Sequence, residues 1–127
     1  MKRKILSING NRSMNFLLQT VLSAKYEFIP ASDVFSGMEE LKKDGDIELV
    51  LIDVDYSTQE NWDFIQHISS SVIYQKPVIV LASERNRRFD KKVAEEKVYE
   101  SVMKPFSPLD LVRSIDKLMY AAKATIN

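Results

Sequence analysis

The sequence predicts an α/β protein built on a doubly wound, five-stranded parallel sheet. Three observations carry that expectation. Residues 48–53 and 77–82 are apolar without alternation, as in central strands covered by helices on both faces. Short strand-like runs alternate five times with stretches of helical spacing, the pattern of a parallel sheet. No linker, internal repeat or low-complexity segment interrupts them, so residues 1–127 are expected to form one domain.

The elements follow in order. Lys4-Ile5-Leu6 opens the first strand. Ser7-Ile8-Asn9-Gly10-Asn11 comes next, and Asn-Gly beside apolar residues is ordinarily a hairpin signal. No second strand follows it. Instead Met14, Leu17, Leu18, Val21 and Leu22 fall at helical spacing, so the stretch is a strand-to-helix corner, with Asn11 or Ser13 as the cap.

Residues 26–30 form a short second strand with Pro30 at its end, where a missing N–H is tolerated. Ser32 or Asp33 opens a helix carrying Phe35, Met38 and Leu41, which stops around Asp44-Gly45. The third strand is residues 48–53, and a helix from about Glu60 carries Trp62, Phe64, Ile65 and Ile68. After the fourth strand, a charged helix over roughly 87–97 offers only Phe89 and Val93 to a core. Residues 98–103 make a weaker last strand. Ser107-Pro108 begins the final helix as N-cap and first-turn proline, with Leu111, Val112, Ile115, Leu118 and Met119 as its buried stripe.

Composition narrows the function. The formal net charge is zero, which argues against nucleic acid or a membrane surface as partner. No apolar run reaches membrane-spanning length, and Met-Lys-Arg-Lys is followed by too short an apolar stretch for a signal peptide, so a cytoplasmic protein is expected. With no cysteine, disulfides, thiolate zinc sites and thiol catalysis are excluded. The three glycines, Gly10, Gly37 and Gly45, lie too far apart for a P-loop or a dinucleotide-binding turn. A flavin-binding module needs a Ser/Thr/Gly-rich phosphate loop after the first strand, and Asn9-Gly10-Asn11-Arg12-Ser13 is a poor match. The single His67 falls on an exposed helix face.

Ligands of open α/β sheets sit beyond the carboxyl ends of the strands. Those ends carry Asn9-Gly10-Asn11, Asp53-Val54-Asp55, Ala82-Ser83-Glu84 and Lys104-Pro105-Phe106. A carboxylate, a hydroxyl and a lysine at successive strand ends suit the handling of phosphate. Asp53 could accept a phosphoryl group as nucleophile, Lys104 could neutralise its oxygens, and Ser83 could donate a hydrogen bond. The bland alternative is a turn-capping Asp53 and a surface cation at Lys104.

From end to end the chain resembles CheY-like response-regulator receiver domains, the phosphoacceptor modules of two-component phosphorelays. Lys4-Ile5-Leu6, Leu49-Val50-Leu51-Ile52-Asp53, Pro77-Val78-Ile79-Val80-Leu81 and Lys104-Pro105-Phe106 carry the resemblance. It implies a flavodoxin-like (βα)5 fold with strand order 2-1-3-4-5, and a signalling module rather than an enzyme. Asp53 matches the phosphoacceptor, Lys104 the phosphate-contacting lysine, and Lys104–Pro105 a bond that is usually cis in the family. Asp55 falls where the family uses a backbone carbonyl on magnesium. The partners implied are a histidine kinase or phosphotransfer protein and an output protein or domain.

Other positions depart from the pattern. The acidic pair after the first strand reads Asn9-Gly10, and the second of those acids binds magnesium in the family. Asp53, with Asp55 in doubt, is then left to hold a metal that prefers several hard oxygens. A unit-charge pair at about 4 Å is worth roughly 4 kcal/mol at an effective dielectric of about 20, so losing two carboxylates weakens Mg2+ binding by orders of magnitude unless the Asp55 side chain or Glu84 substitutes. The switch positions read Ala82 and Ser101, without the usual Thr/Ser and aromatic. Ser83 has a hydroxyl, but one residue along a strand faces the other way unless the strand has already ended. Glu60-Asn61 replaces the usual Asp-Gly, and Lys97 stands where a glycine usually ends the fourth helix.

The expectation is therefore a degenerate receiver, a pseudo-receiver with weak or absent magnesium-dependent phosphorylation that acts through protein contacts. The rival is an enzyme: Asp53-Val54-Asp55-Tyr56-Ser57 resembles the nucleophile loop of haloacid-dehalogenase-like phosphatases, with Asp55 as general acid–base. Arg85, Arg87, Arg88, Lys91 and Lys92 form a basic cluster that reads either as a solvated helix face or as a docking surface.

Overall fold

Five strands and five helices alternate strictly along the chain in the computed structural model, which describes residues 2–124. They are β1 (Arg3–Ile8), α1 (Arg12–Leu22), β2 (Tyr26–Ala31), α2 (Val34–Lys43), β3 (Ile47–Asp53), α3 (Thr58–Ser70), β4 (Val78–Ala82), α4 (Arg87–Glu95), β5 (Glu100–Met103) and α5 (Pro108–Ala124). All strand pairs are parallel, in the order β2-β1-β3-β4-β5.

Strand alternation splits the apolar residues of β3 and β4 between two cores. Val50, Ile52 and Val80 face Trp62, Ile65, Phe89 and the rest of the layer made by α2, α3 and α4. Leu49, Leu51, Ile79 and Leu81 face Leu18 and Leu22 of α1 and Leu111, Ile115 and Met119 of α5. Each of these eight strand and helix partners around β3, from Leu49 to Ile52 and from Ile79 to Leu81 with Ile65, is fully enclosed, and burial of one such side chain stabilises by about 1.5–3 kcal/mol. That is why the unbroken apolar runs become the middle of the sheet.

Local signals set the helix starts. Asn11 caps α1 by accepting from the Met14 N–H at 3.1 Å, and Asp33 caps α2 by accepting from the Ser36 N–H at 2.8 Å. In α2 the buried stripe is Val34, Gly37 and Leu41, so Phe35, expected to face the core, is instead 69% exposed. The cause is Gly37: a side chain there would run into Ile8 of β1, so the helix seats its bare position on the strand. Leu17 of α1 is likewise more exposed than its spacing suggested. Lys97, just beyond α4, takes a left-handed φ of 55°, a conformation that favours glycine. No helix among the described residues is long and apolar enough to cross a membrane.

Candidate functional site

The carboxyl ends of β1, β3, β4 and β5 converge on one rim, and the candidate residues meet there. Asp53 is the last residue of β3, 1% exposed, held in register beside Leu81. Its Oδ1 accepts from the Asp55 N–H at 2.9 Å, which bends the chain sharply after the strand. Its Oδ2 forms an ion pair with the Lys104 ammonium. Lys104 follows β5, anchored by its own N–H donating to the Ala82 carbonyl at 2.8 Å, and the Lys104–Pro105 peptide bond is cis.

Asp55 does not point to open solvent. Its Oδ1 accepts from the Ser83 N–H at 3.0 Å, and its Oδ2 accepts from the Ser83 hydroxyl at 2.8 Å and from Lys104 Nζ at 2.9 Å. β4 ends at Ala82, so Ser83 is free of strand geometry and turns toward the same rim as Asp53. Burial pushes the Asp55 carboxyl up, but Lys104 and the two Ser83 donors outweigh it and hold its pKa below the ordinary value. Burial likewise opposes the charge on Lys104, and the two aspartates outweigh that, raising its pKa.

The rim near β1 is closed by Tyr56. A Cβ on Gly10 would stand 2.9 Å from the Tyr56 Cβ, so the position expected to bear an acid has no room for a side chain. Asn11 Nδ2 donates to the Tyr56 hydroxyl at 3.2 Å, and Lys104 Nζ lies 5.7 Å from the ring centroid. Asn9 is buried, with its Oδ1 accepting from the Asn11 N–H at 2.9 Å and its Nδ2 without a partner among the described residues.

These groups do not fit Mg2+. Asn9 turns an orphaned N–H donor into the interior rather than a free oxygen, Gly10 contributes nothing, and both carboxylates already face the Lys104 cation. No cluster of three or more His, Cys, Asp or Glu suited to a metal occurs among the described residues.

Asn61 is the residue that sequence reasoning missed. It is buried in the first turns of α3, and its Nδ2 donates to the Asp53 carbonyl at 2.9 Å and to the Tyr56 carbonyl. It thereby fixes the loop that follows β3, including Ser57 in a left-handed conformation with a φ of 52°. Its place in Glu60-Asn61, where the resembled pattern has Asp-Gly, was the available signal. Ala82 is buried at the end of β4, while Ser101 pairs with Val80 lower in the sheet, so the two expected switch positions present no hydroxyl and no ring to Asp53.

Beside the rim, a cleft of about 550 Å3 opens between α3 and α4, bordered by Asp55, Trp62, Ser83, Arg88 and Lys92. Trp62 meets Phe89 edge to face at 5.9 Å, and Lys92 Nζ lies 6.0 Å from the Trp62 centroid. Of the basic cluster, Arg85 pairs with Asp90 at 2.8 Å and Lys91 with Glu95 at 3.7 Å, and Arg87 and Arg88 are exposed. His67 is exposed on α3.

No family model matches the sequence, and no curated protein matches it. Its backbone does match solved receivers. A CheY-like response regulator receiver domain protein from Methanospirillum hungatei superimposes with a TM-score of 0.88 over 98% of this chain and 99% of its own, at 15% identity. The signal receiver domain of an HD domain-containing protein from Pseudomonas fluorescens gives 0.86 over 98% and 99%, at 17% identity. Chemotaxis protein CheY4 of Vibrio cholerae gives 0.83 over 92% and 98%, at 18% identity. The chain has the fold of CheY-like response-regulator receiver domains.

Proposed function

We propose that this chain is a receiver-type module of a two-component signalling system that works through protein–protein contacts, with magnesium-dependent phosphorylation of Asp53 weak or absent. One observation carries the reading: Lys104 is already paired with both Asp53 and Asp55, while Tyr56 closes the space at Gly10 where a further acid would stand. A phosphoryl group would add negative charge beside two carboxylates that share a single cation, with no metal-ligand cluster among the described residues to offset it.

The partners would be a histidine kinase or phosphotransfer protein, an output protein or domain, or both. The exposed Arg87 and Arg88 on α4 offer such a partner positive charge beside the apolar floor of the cleft. As a phosphatase the chain would need Asp55 as general acid–base, and that carboxylate is already committed to Ser83 and Lys104. Turnover of para-nitrophenyl phosphate that is abolished by Asp55→Asn would favour that enzyme reading instead.

The test is a titration with magnesium and beryllofluoride followed by amide NMR, with Asp53→Asn as control. Spectra that stay flat around Asp53, Ser83 and Lys104 at millimolar magnesium support the proposal. Saturable shifts there, absent from Asp53→Asn, overturn it.

A further inference from the structure

Asp55 makes an unusual set of contacts for a residue at a loop on the rim. Three donors from two different strand ends converge on its one carboxylate: the Ser83 N–H, the Ser83 hydroxyl and the Lys104 ammonium. A backbone N–H, a hydroxyl and a cation gathered around one point make a cradle for an oxyanion, because each supplies a proton without needing an acceptor in return. Both oxygens of Asp55 are engaged, and the side chain is only 23% exposed.

The cradle lies against Asp53, since Lys104 pairs with both aspartates at once. Any oxyanion brought up to Asp53 would draw on the same ammonium and the same Ser83 donors. Asp55 holds that place already. The bend that delivers it is built in by the Asp55 N–H bond to Asp53 Oδ1, so the carboxylate is tethered at its station and competes at an effective concentration no millimolar solute reaches.

We infer that Asp55 is a resident anion filling an oxyanion cradle formed by Ser83 and Lys104, and that this cradle takes a phosphate-type oxyanion only when the Asp55 carboxylate is withdrawn. The inference rests on reading the Asp53–Lys104 rim as an anion-handling site. It does not depend on which protein docks on α4. The self-filled cradle gives the fold an occupied anion site with no phosphoryl donor involved.

The experiment uses inorganic phosphate as probe and compares variants that all lack the Asp53 charge. Asp53→Asn keeps Asp55 in the cradle, whereas Asp53→Asn/Asp55→Ala empties it. Asp53→Asn/Glu60→Gln removes one negative charge from the exposed start of α3 and leaves the cradle filled. Binding is followed by the Ser83 amide in a phosphate titration by NMR.

The emptied variant is expected to bind phosphate at least about tenfold more tightly than Asp53→Asn, the measure of the tethered competitor removed. The Glu60 variant is expected to stay within about twofold of Asp53→Asn, because an exposed charge is screened by salt. Adding Ser83→Ala to the emptied variant, which removes the hydroxyl and keeps the N–H, should reduce the gain. Where alanine at position 55 costs the native spectrum, Asp55→Gly replaces it with the same expected order. Equal phosphate binding by the filled and emptied variants, including no binding by either, overturns the inference. So does an equal gain from Glu60→Gln. Failure of this test leaves partner docking through Arg87 and Arg88 intact, and failure of docking leaves this result standing.

Discussion

Gly10 and Tyr56 exclude one another's side chains: a Cβ added at Gly10 would lie 2.9 Å from the Cβ of Tyr56. Gly10 does not take a positive φ, so the cost of a side chain there is contact rather than backbone conformation. Gly10→Ala should therefore destabilise by about 1–3 kcal/mol, the usual scale of overpacking. Urea denaturation checks it, and in a Tyr56→Gly background the same substitution should cost less than about 0.5 kcal/mol. Equal cost in both backgrounds would show that Tyr56 is not the obstacle.

Asn61 holds the Asp53 and Tyr56 carbonyls from inside the protein. Asn61→Ala leaves both without that donor and should cost about 1–3 kcal/mol in unfolding free energy. Asn61→Asp should cost more, because it aims a carboxylate at two carbonyl oxygens in a buried position. A loss for Asn61→Asp smaller than for Asn61→Ala would mean that the amide does not donate as described.

Stability should fall at both ends of the pH scale. Lys4 and Lys104 hold Asp44 and Asp55 below their ordinary pKa values through hydrogen bonds, as Arg3 does for Glu48 and Lys25 and Tyr26 do for Asp116. A depressed carboxyl contributes fully above its unfolded value of about 4 and loses that contribution as pH falls through its folded value. Lys4, Lys25 and Lys104 are raised, and so is Tyr26 by burial and its bond to Asp116. Their contribution is complete below about pH 10 and is lost as pH rises through the folded values. Urea midpoints should thus be level between about pH 5 and about pH 9, and Asp55→Asn should shrink the acid limb. A midpoint that climbs steadily across that window would contradict the assignment.

Reversing Arg87 and Arg88 to glutamate should leave stability within about 0.5 kcal/mol, since both side chains lie on the exposed face of α4. The same variant should weaken capture of the partner proposed above, read as a faster off-rate on immobilised protein. Unchanged capture would remove α4 from the docking surface.

Much of this was legible in the residues. Unbroken apolar runs gave β3 and β4 because burial on both faces removes the alternation that edge strands keep. Asn11 and Asp33 announced helix starts because a cap acts within three residues of itself. Asp53 and Lys104 stood out because strand ends define the rim. The contacts that decide what the rim does are of another kind. Tyr56 against Gly10, and Asp55 reaching Ser83 and Lys104, join residues 28 to 49 positions apart through loop geometry that no local pattern encodes. Phe35 was misplaced for the same reason, since the phase of α2 is set by where Gly37 meets Ile8 on another element.

The two halves of the central ion pair ride on parts of unequal permanence. Asp53 closes a strand whose last five residues are enclosed on both faces, whereas Lys104 follows a four-residue edge strand with no fully buried member. Amide hydrogen exchange should find the β3 amides released only by global unfolding and those of β5 released by local opening. The carboxylate is thus fixed for the life of the fold, and the cation is the half that can leave. Whatever timing this site has, it is kept by the frayable edge that carries Lys104.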